Sequence, residues 1–157
     1  MSCKCRKVVT FPREGPKAIG PYSLGIATHG MVFLSGQLGL DPKSGELVTG
    51  GIEAETRQAI ENLSSILKTA DTELEKVVKT TVFLKSINDF AAMNAVYAEF
   101  FHAEPPARTT IQAGSLPKNA LVEIEAIAIK PCDCDCDKEG DDDDGTEEES
   151  GCNCGCK

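Results

Sequence analysis

The sequence predicts an α+β fold, a single mixed sheet carrying two helices on one face. Three observations point there. Apolar residues recur at three- and four-residue steps through residues 52–70, the spacing of one helix face. A shorter helical stretch, 90–101, follows Asn88-Asp89, residue types that favour a helix start. Around these lie runs rich in β-branched residues, so the elements order as β, β, β, α, β, α, β, β.

In chain order, residues 7–11 read as a first strand, because Val8, Val9 and Phe11 favour extended backbone. Residues 12–21 are a loop rich in proline and glycine, with Tyr22 at its end. Residues 23–28 and 31–35 read as a hairpin around His29-Gly30. Ser35-Gly36-Gln37 is expected to end that strand, glycine allowing close backbone approach. Asp41-Pro42-Lys43-Ser44-Gly45 is a turn cluster. The stripe of the long helix is Ile52, Thr56, Ala59, Ile60, Leu63, Ile66, Leu67 and Ala70, with Glu53, Glu55, Arg57, Glu61 and Lys68 outside it. Residues 77–84 read as a buried strand. Asn88 or Asp89 is expected to cap the second helix, whose buried side would be Phe90, Met93, Tyr97, Phe100 and Phe101.

The most informative stretch comes next. Arg108 stands just after Pro105-Pro106, at the start of a β-prone run. A turn, Leu116-Pro117-Lys118-Asn119, leads to a second run in which Glu123 and Glu125 point to one face and Val122 and Ile124 to the other. If these runs pair as a hairpin or lie in neighbouring strands, Arg108 and Glu123 can approach one pocket. An arginine fork suits a small planar carboxylate, and a nearby glutamate can handle a proton or a water. The competing reading is a surface ion pair, which is common and weak.

Pro106-Ala107-Arg108, then Leu116-Pro117-Lys118, then residues 122–128 (Val-Glu-Ile-Glu-Ala-Ile-Ala) resemble the C-terminal signature of the RidA/YjgF family. These are enamine/imine deaminases also described as the translation-inhibitor endoribonuclease family. Ala18-Ile19-Gly20-Pro21-Tyr22-Ser23, Leu34-Ser35-Gly36-Gln37, residues 77–84, and Ile87-Asn88-Asp89-Phe90 running on to Asn94-Ala95-Val96-Tyr97 agree in the same order. The resemblance covers residues 7–130. Pro105 stands where the family often has an aromatic residue, and Thr109-Thr110 replaces the commoner Ser/Ala then Cys/Ala. These departures bear on substrate fit, since neither removes a charged group.

The resemblance implies a chorismate-mutase-like homotrimer with sites in the clefts between subunits. It implies hydrolysis of small 2-imino or 2-enamino acids, such as the tautomers of 2-aminoacrylate, to 2-keto acids and ammonia. Arg108 would bind the carboxylate, Glu123 would handle water and proton, and Tyr22 would close the pocket. Ser35, Asn94 and Thr110 would make further substrate contacts. No cofactor is needed, because an imine is already an electrophile. Rival readings are an endoribonuclease or translation inhibitor, and a non-catalytic binder of small carboxylates.

Composition bounds the alternatives. The 157 residues suffice for one domain with one core. No apolar run is long enough to cross a membrane, and no charged-then-apolar segment opens the chain. Residues 131–157 hold eleven acids and two lysines, whereas residues 1–130 hold fourteen acids and fourteen bases. The acidity belongs to a tail, and the neutral remainder gives no electrostatic support for nucleic-acid binding.

All eight cysteines lie outside the matched region: Cys3 and Cys5 in a basic arm, residues 1–6, and Cys132, Cys134, Cys136, Cys152, Cys154 and Cys156 in the tail. Their repeated Cys-x-Cys spacing suits clustered thiolates for zinc or another soft metal better than a disulfide framework. A metal-buffering role for the tails is therefore a third rival reading. A reducing compartment, the cytoplasm, is expected, with the tail disordered in the absence of metal.

Overall fold

The computed structural model of the protein describes residues 8–10, 12 and 15–130. The arm at 1–6, the tail at 131–157 and all eight cysteines lie outside the described residues. Six strands form one sheet: β1 (Val8–Thr10), β2 (Gly25–Thr28), β3 (Met31–Leu38), β4 (Val77–Leu84), β5 (Ala107–Gln112) and β6 (Val122–Ile129). Two helices, α1 (Gly51–Thr69) and α2 (Phe90–Phe100), pack against it. The expected element order is the observed one. No helix among the described residues is long and apolar enough to cross a membrane.

Alternation along the strands decides which face carries the helices. Val32 and Leu34 of β3, Thr80, Val82 and Leu84 of β4, and Val122, Ile124, Ala126 and Ala128 of β6 are buried. They meet Ala59, Ile60, Leu63, Ile66 and Leu67 of α1 and Met93 and Tyr97 of α2 in one core. Each large aliphatic side chain removed from water here contributes roughly 1.5–3 kcal/mol. The other sheet face keeps Met31, Phe33, Ile111 and Ile129 exposed.

The β2–β3 hairpin turns on His29 (φ 48°) and Gly30 (φ 71°), the two left-handed residues that match a two-residue turn to strand twist. Three local expectations are corrected. Ser35-Gly36-Gln37 does not end β3; the strand runs to Leu38, with its pairing to β6 shifted between Leu34 and Gln37. Neither Asn88 nor Asp89 caps α2 through its side chain. Ser86 instead accepts from the Asn88 backbone N–H, opening a 3₁₀ turn that runs directly into the helix. Phe90 is exposed rather than core.

Glu55 is also corrected: expected outside the buried stripe, it is only 6% exposed. Its Oε2 accepts the backbone N–H of Leu121 at 2.8 Å, satisfying a donor at the start of β6. Its carboxyl is pushed above the ordinary value mainly by burial, against the opposing hydrogen bond from Leu121.

The largest correction is topological. The sheet order is β1-β2-β3-β6-β4-β5, so β5 and β6 are neither a hairpin nor neighbours. β5 pairs parallel to β4 after the α2 crossover, a βαβ arrangement that leaves it at the sheet edge. The connection of residues 113–121 is long enough to carry the chain past β4, and β6 inserts between β3 and β4.

Candidate functional site

That topology separates the two residues the sequence singles out. Arg108 is the register partner of Thr80, so it shares the helix-covered side. Glu123 is the partner of Phe83, on the opposite face. They stand two strands apart and three residues out of register, roughly 10 Å in each direction before the change of face is counted. Within one chain, Arg108 and Glu123 do not meet.

Glu123 belongs to a cavity of about 350 Å³ at the end of β3 and β6. Tyr22, Ser35, Gln37 and Asn62 line it with Glu123, and Ile19, Leu38, Leu40 and Pro117 give it apolar walls. The irregularity in β3 shapes its floor. Two residues, Ser35 and Gly36, fall between the pairs Leu34↔Ala126 and Gln37↔Ile124, where the partner strand supplies only Glu125. Gln37, 3% exposed, holds this bulge by donating from Nε2 to the carbonyls of Ser35 (3.0 Å) and Gly36 (3.2 Å). The Glu123 carboxylate lies over Gly36, and a β-carbon there would overlap it. The absence of a β-carbon at Gly36 is what lets the carboxylate take this place; a side chain there would displace it.

Burial raises the Glu123 pKa above the ordinary glutamate value, and the negative charge of Glu125 raises it further. The Ser35 hydroxyl donates to the Ser23 carbonyl at 2.7 Å, and its backbone N–H donates to Leu24 at 2.9 Å. Ser35 thus pins the segment carrying Tyr22. Its lone pairs can accept a hydrogen bond, but its own proton is committed. The Tyr22 ring reaches the cavity while its hydroxyl accepts the Ile19 backbone N–H at 3.3 Å.

The second cluster gathers Arg108, Asn94 and Thr110. Arg108 Nη2 donates to Asn94 Oδ1 at 2.7 Å. The guanidinium carbon lies 4.5 Å from the ring centre of Tyr97 and 5.7 Å from that of Phe90. Thr110 is two residues on, along the same side of β5, and its buried hydroxyl has no hydrogen-bond partner among the described residues. An unpaired buried hydroxyl is costly, so it is a natural place for an incoming polar group. The Tyr97 hydroxyl bonds Thr80 Oγ1 at 2.7 Å. Burial raises its pKa, against that hydrogen bond and the Arg108 charge.

Tyr22, Ser35 and Glu123 are therefore brought together, Asn94, Arg108 and Thr110 form a separate group, and the cysteines stand outside the described residues. Among the described residues no group of three or more His, Cys, Asp or Glu is placed to hold a metal ion. Sequence reasoning missed Gln37, Asn62, Leu40 and Pro117 as cavity walls, and assigned Phe90 and Tyr97 to the core alone. The i, i+4, i+7 spacing of Phe90, Asn94 and Tyr97 was the available signal, since it puts all three on one helix face. Nothing local marks these walls, because they come from three separate segments.

Comparison with known proteins gives a consistent result. Residues 12–130 match the family model described as endoribonuclease L-PSP. A RutC family protein of Pyrococcus horikoshii is 50% identical over 124 residues, 79% of this chain and 98% of that protein. The human protein named 2-iminobutanoate/2-iminopropanoate deaminase is 45% identical over 130 residues, covering 83% of this chain and 94% of its own. Among solved structures, the YjgF gene product from E. coli superposes with a TM-score of 0.75 at 39% identity, covering 79% of this chain and 99% of that one. The chain belongs to the RidA/YjgF family, that of the endoribonuclease L-PSP model.

Proposed function

We propose that the protein hydrolyses small 2-imino acids, and their 2-enamino tautomers, to 2-keto acids and ammonia. The observation that carries this is the Glu123 carboxyl, desolvated and held against the backbone of Gly36 in a cavity wide enough for a small substrate. The mammalian relatives named as 2-iminobutanoate/2-iminopropanoate deaminases support it.

On this reading Arg108 holds the substrate carboxylate with its planar fork, and Thr110 donates to or accepts from the same ligand. Glu123 takes a proton from a water as the water oxygen bonds to the imine carbon. The C=N π electrons move to nitrogen, which takes that proton back from Glu123 to give the neutral carbinolamine. Glu123 then takes the carbinolamine hydroxyl proton and passes it to nitrogen as the C–N bond breaks, so ammonia leaves and the oxygen electrons form the keto carbonyl. A carboxyl with a raised pKa suits both halves of that cycle, because it holds the proton between steps. Tyr22 covers the cavity mouth.

The two clusters act together if the site forms between copies of the chain. The Arg108 edge of one subunit would then meet the Glu123 cavity of the next, in a homotrimer packed through the exposed apolar sheet face. Met31, Phe33, Ile111 and Ile129 give that face the apolar character an assembly surface needs. Sedimentation should report a trimer, and a monomer at micromolar concentration would remove the intersubunit site. The activity is tested by a coupled assay. A pyridoxal-phosphate dehydratase generates the imine, and keto-acid formation is followed with and without this protein; no acceleration sinks the deaminase reading.

A further inference from the structure

Arginine side chains are long, and holding one in a single geometry costs about 2 kcal/mol of rotamer freedom. Arg108 lies on an edge strand, where one neighbouring strand is missing and sheet packing alone restrains it less. Yet its guanidinium is contacted on several sides. The ring centre of Tyr97 is 4.5 Å away, that of Phe90 is 5.7 Å away, and Asn94 accepts one N–H at 2.7 Å. All three residues come from one face of α2.

Tyr97 is fixed in turn. Its ring packs on Phe101, with centroids 4.5 Å apart, and its hydroxyl bonds Thr80. Thr80 is the register partner of Arg108 across β4 and β5. The chain of contacts therefore closes on itself, from Arg108 through the sheet to Thr80, to Tyr97 and back to the guanidinium.

We infer that Tyr97 and Phe90 are positioning residues that hold the Arg108 fork in a fixed plane for carboxylate recognition. The chemistry is complementary. A guanidinium offers weakly hydrated faces and hydrogen-bonding edges. Ring contacts use the faces, whereas a carboxylate is bound in plane through the N–H edge. The rings thus restrain the group without consuming the donors that recognition needs, and Asn94 consumes only one. This rests on the proposed role of Arg108 as the carboxylate ligand.

The test uses the full-length protein with 2-oxobutanoate as probe, measured by titration calorimetry, together with the ¹⁵N-resolved Arg108 Nε–H resonance. Tyr97→Leu should weaken 2-oxobutanoate binding about tenfold, and Phe90→Leu about threefold. Tyr97→Phe keeps the ring and should bind within about twofold of the parent. A Tyr97→Leu variant that binds like the parent, or a Tyr97→Phe variant as weak as Tyr97→Leu, overturns the inference. If the parent itself does not bind 2-oxobutanoate, Arg108 as carboxylate ligand fails and the resonance decides the positioning separately. An Arg108 Nε–H shifted upfield by the rings in the parent, and released in Tyr97→Leu, upholds it; an unshifted parent signal overturns it. Should Tyr97→Leu fail to fold, Phe90→Leu at the exposed ring decides by the same two readouts.

Discussion

The two clusters solve opposite problems. Around Glu123 the backbone does the work: a bulge, a glycine without a β-carbon and a buried glutamine bring the carboxyl against main chain. Around Arg108 side chains do it, with two rings and an amide presented by one helix. Within one chain Arg108 stands on the other sheet face, and burial together with the Glu125 charge raises the Glu123 pKa above its ordinary value. One cluster is suited to binding a charge and the other to moving a proton.

The sharpest way to break this comparison is to remove one half at a time. Arg108→Ala should lower kcat/KM for imine hydrolysis by about three orders of magnitude, and Arg108→Lys should recover little, because a point charge does not replace the fork. Glu123→Gln should lower kcat by about 10²–10⁴ while 2-oxobutanoate still binds. Equal effects of both variants on binding and turnover would erase the proposed division of labour. Mixing the two inactive variants through unfolding and reassembly should restore about a quarter of the parent activity, if each site takes Arg108 from one subunit and Glu123 from the next. No recovery in mixed trimers would show that the two groups do not combine in one site across subunits.

A smaller effect is expected from Gly36→Ala. The added methyl overlaps the Glu123 carboxylate and forces it aside, so turnover should fall about tenfold to a hundredfold. Arg108-dependent binding of 2-oxobutanoate should be little changed. Loss of binding equal to the loss of turnover would show that the two clusters are not independent.

Smaller still is a shift in pH dependence. Turnover by ionised Glu123 falls as pH drops through its pKa, which burial and Glu125 hold above the ordinary glutamate value. Removing the neighbouring negative charge lowers that pKa, so Glu125→Gln should move the acidic limb of the kcat profile to lower pH. A limb that stays in place, or moves up, contradicts Glu123 as the base.

The least effect on catalysis is expected from the cysteine-rich ends. We propose that reduced Cys3, Cys5, Cys132, Cys134, Cys136, Cys152, Cys154 and Cys156 bind zinc, cadmium or copper(I), with proton release. Deaminase activity should be unchanged by chelator. Competition against a chromophoric chelator, compared with a 7–130 chain, checks the metal uptake; equal uptake by both ends the proposal.

Much of the fold was legible because period and burial are local. The α1 stripe, the hairpin at His29-Gly30 and the alternation of β6 each follow from residues near one another in sequence. The buried acid Glu55 was not legible, since its partner is the Leu121 N–H, 66 residues away. Phe90 illustrates the reverse case: the sequence marks it as apolar and on the face with Tyr97, while only the folded chain sets it beside Arg108.

By itself the sequence determined the element order, the helix-facing residues and the candidates Tyr22, Ser35, Asn94, Arg108, Thr110 and Glu123. Only the tertiary structure decided which of them stand together. Sequence neighbours such as β5 and β6 pair by default, but here a parallel βαβ crossover sends β5 to the sheet edge and lets β6 insert beyond β4. A side chain's face depends on register with its neighbouring strand, and that register is fixed by packing across the whole sheet, beyond the reach of any local pattern.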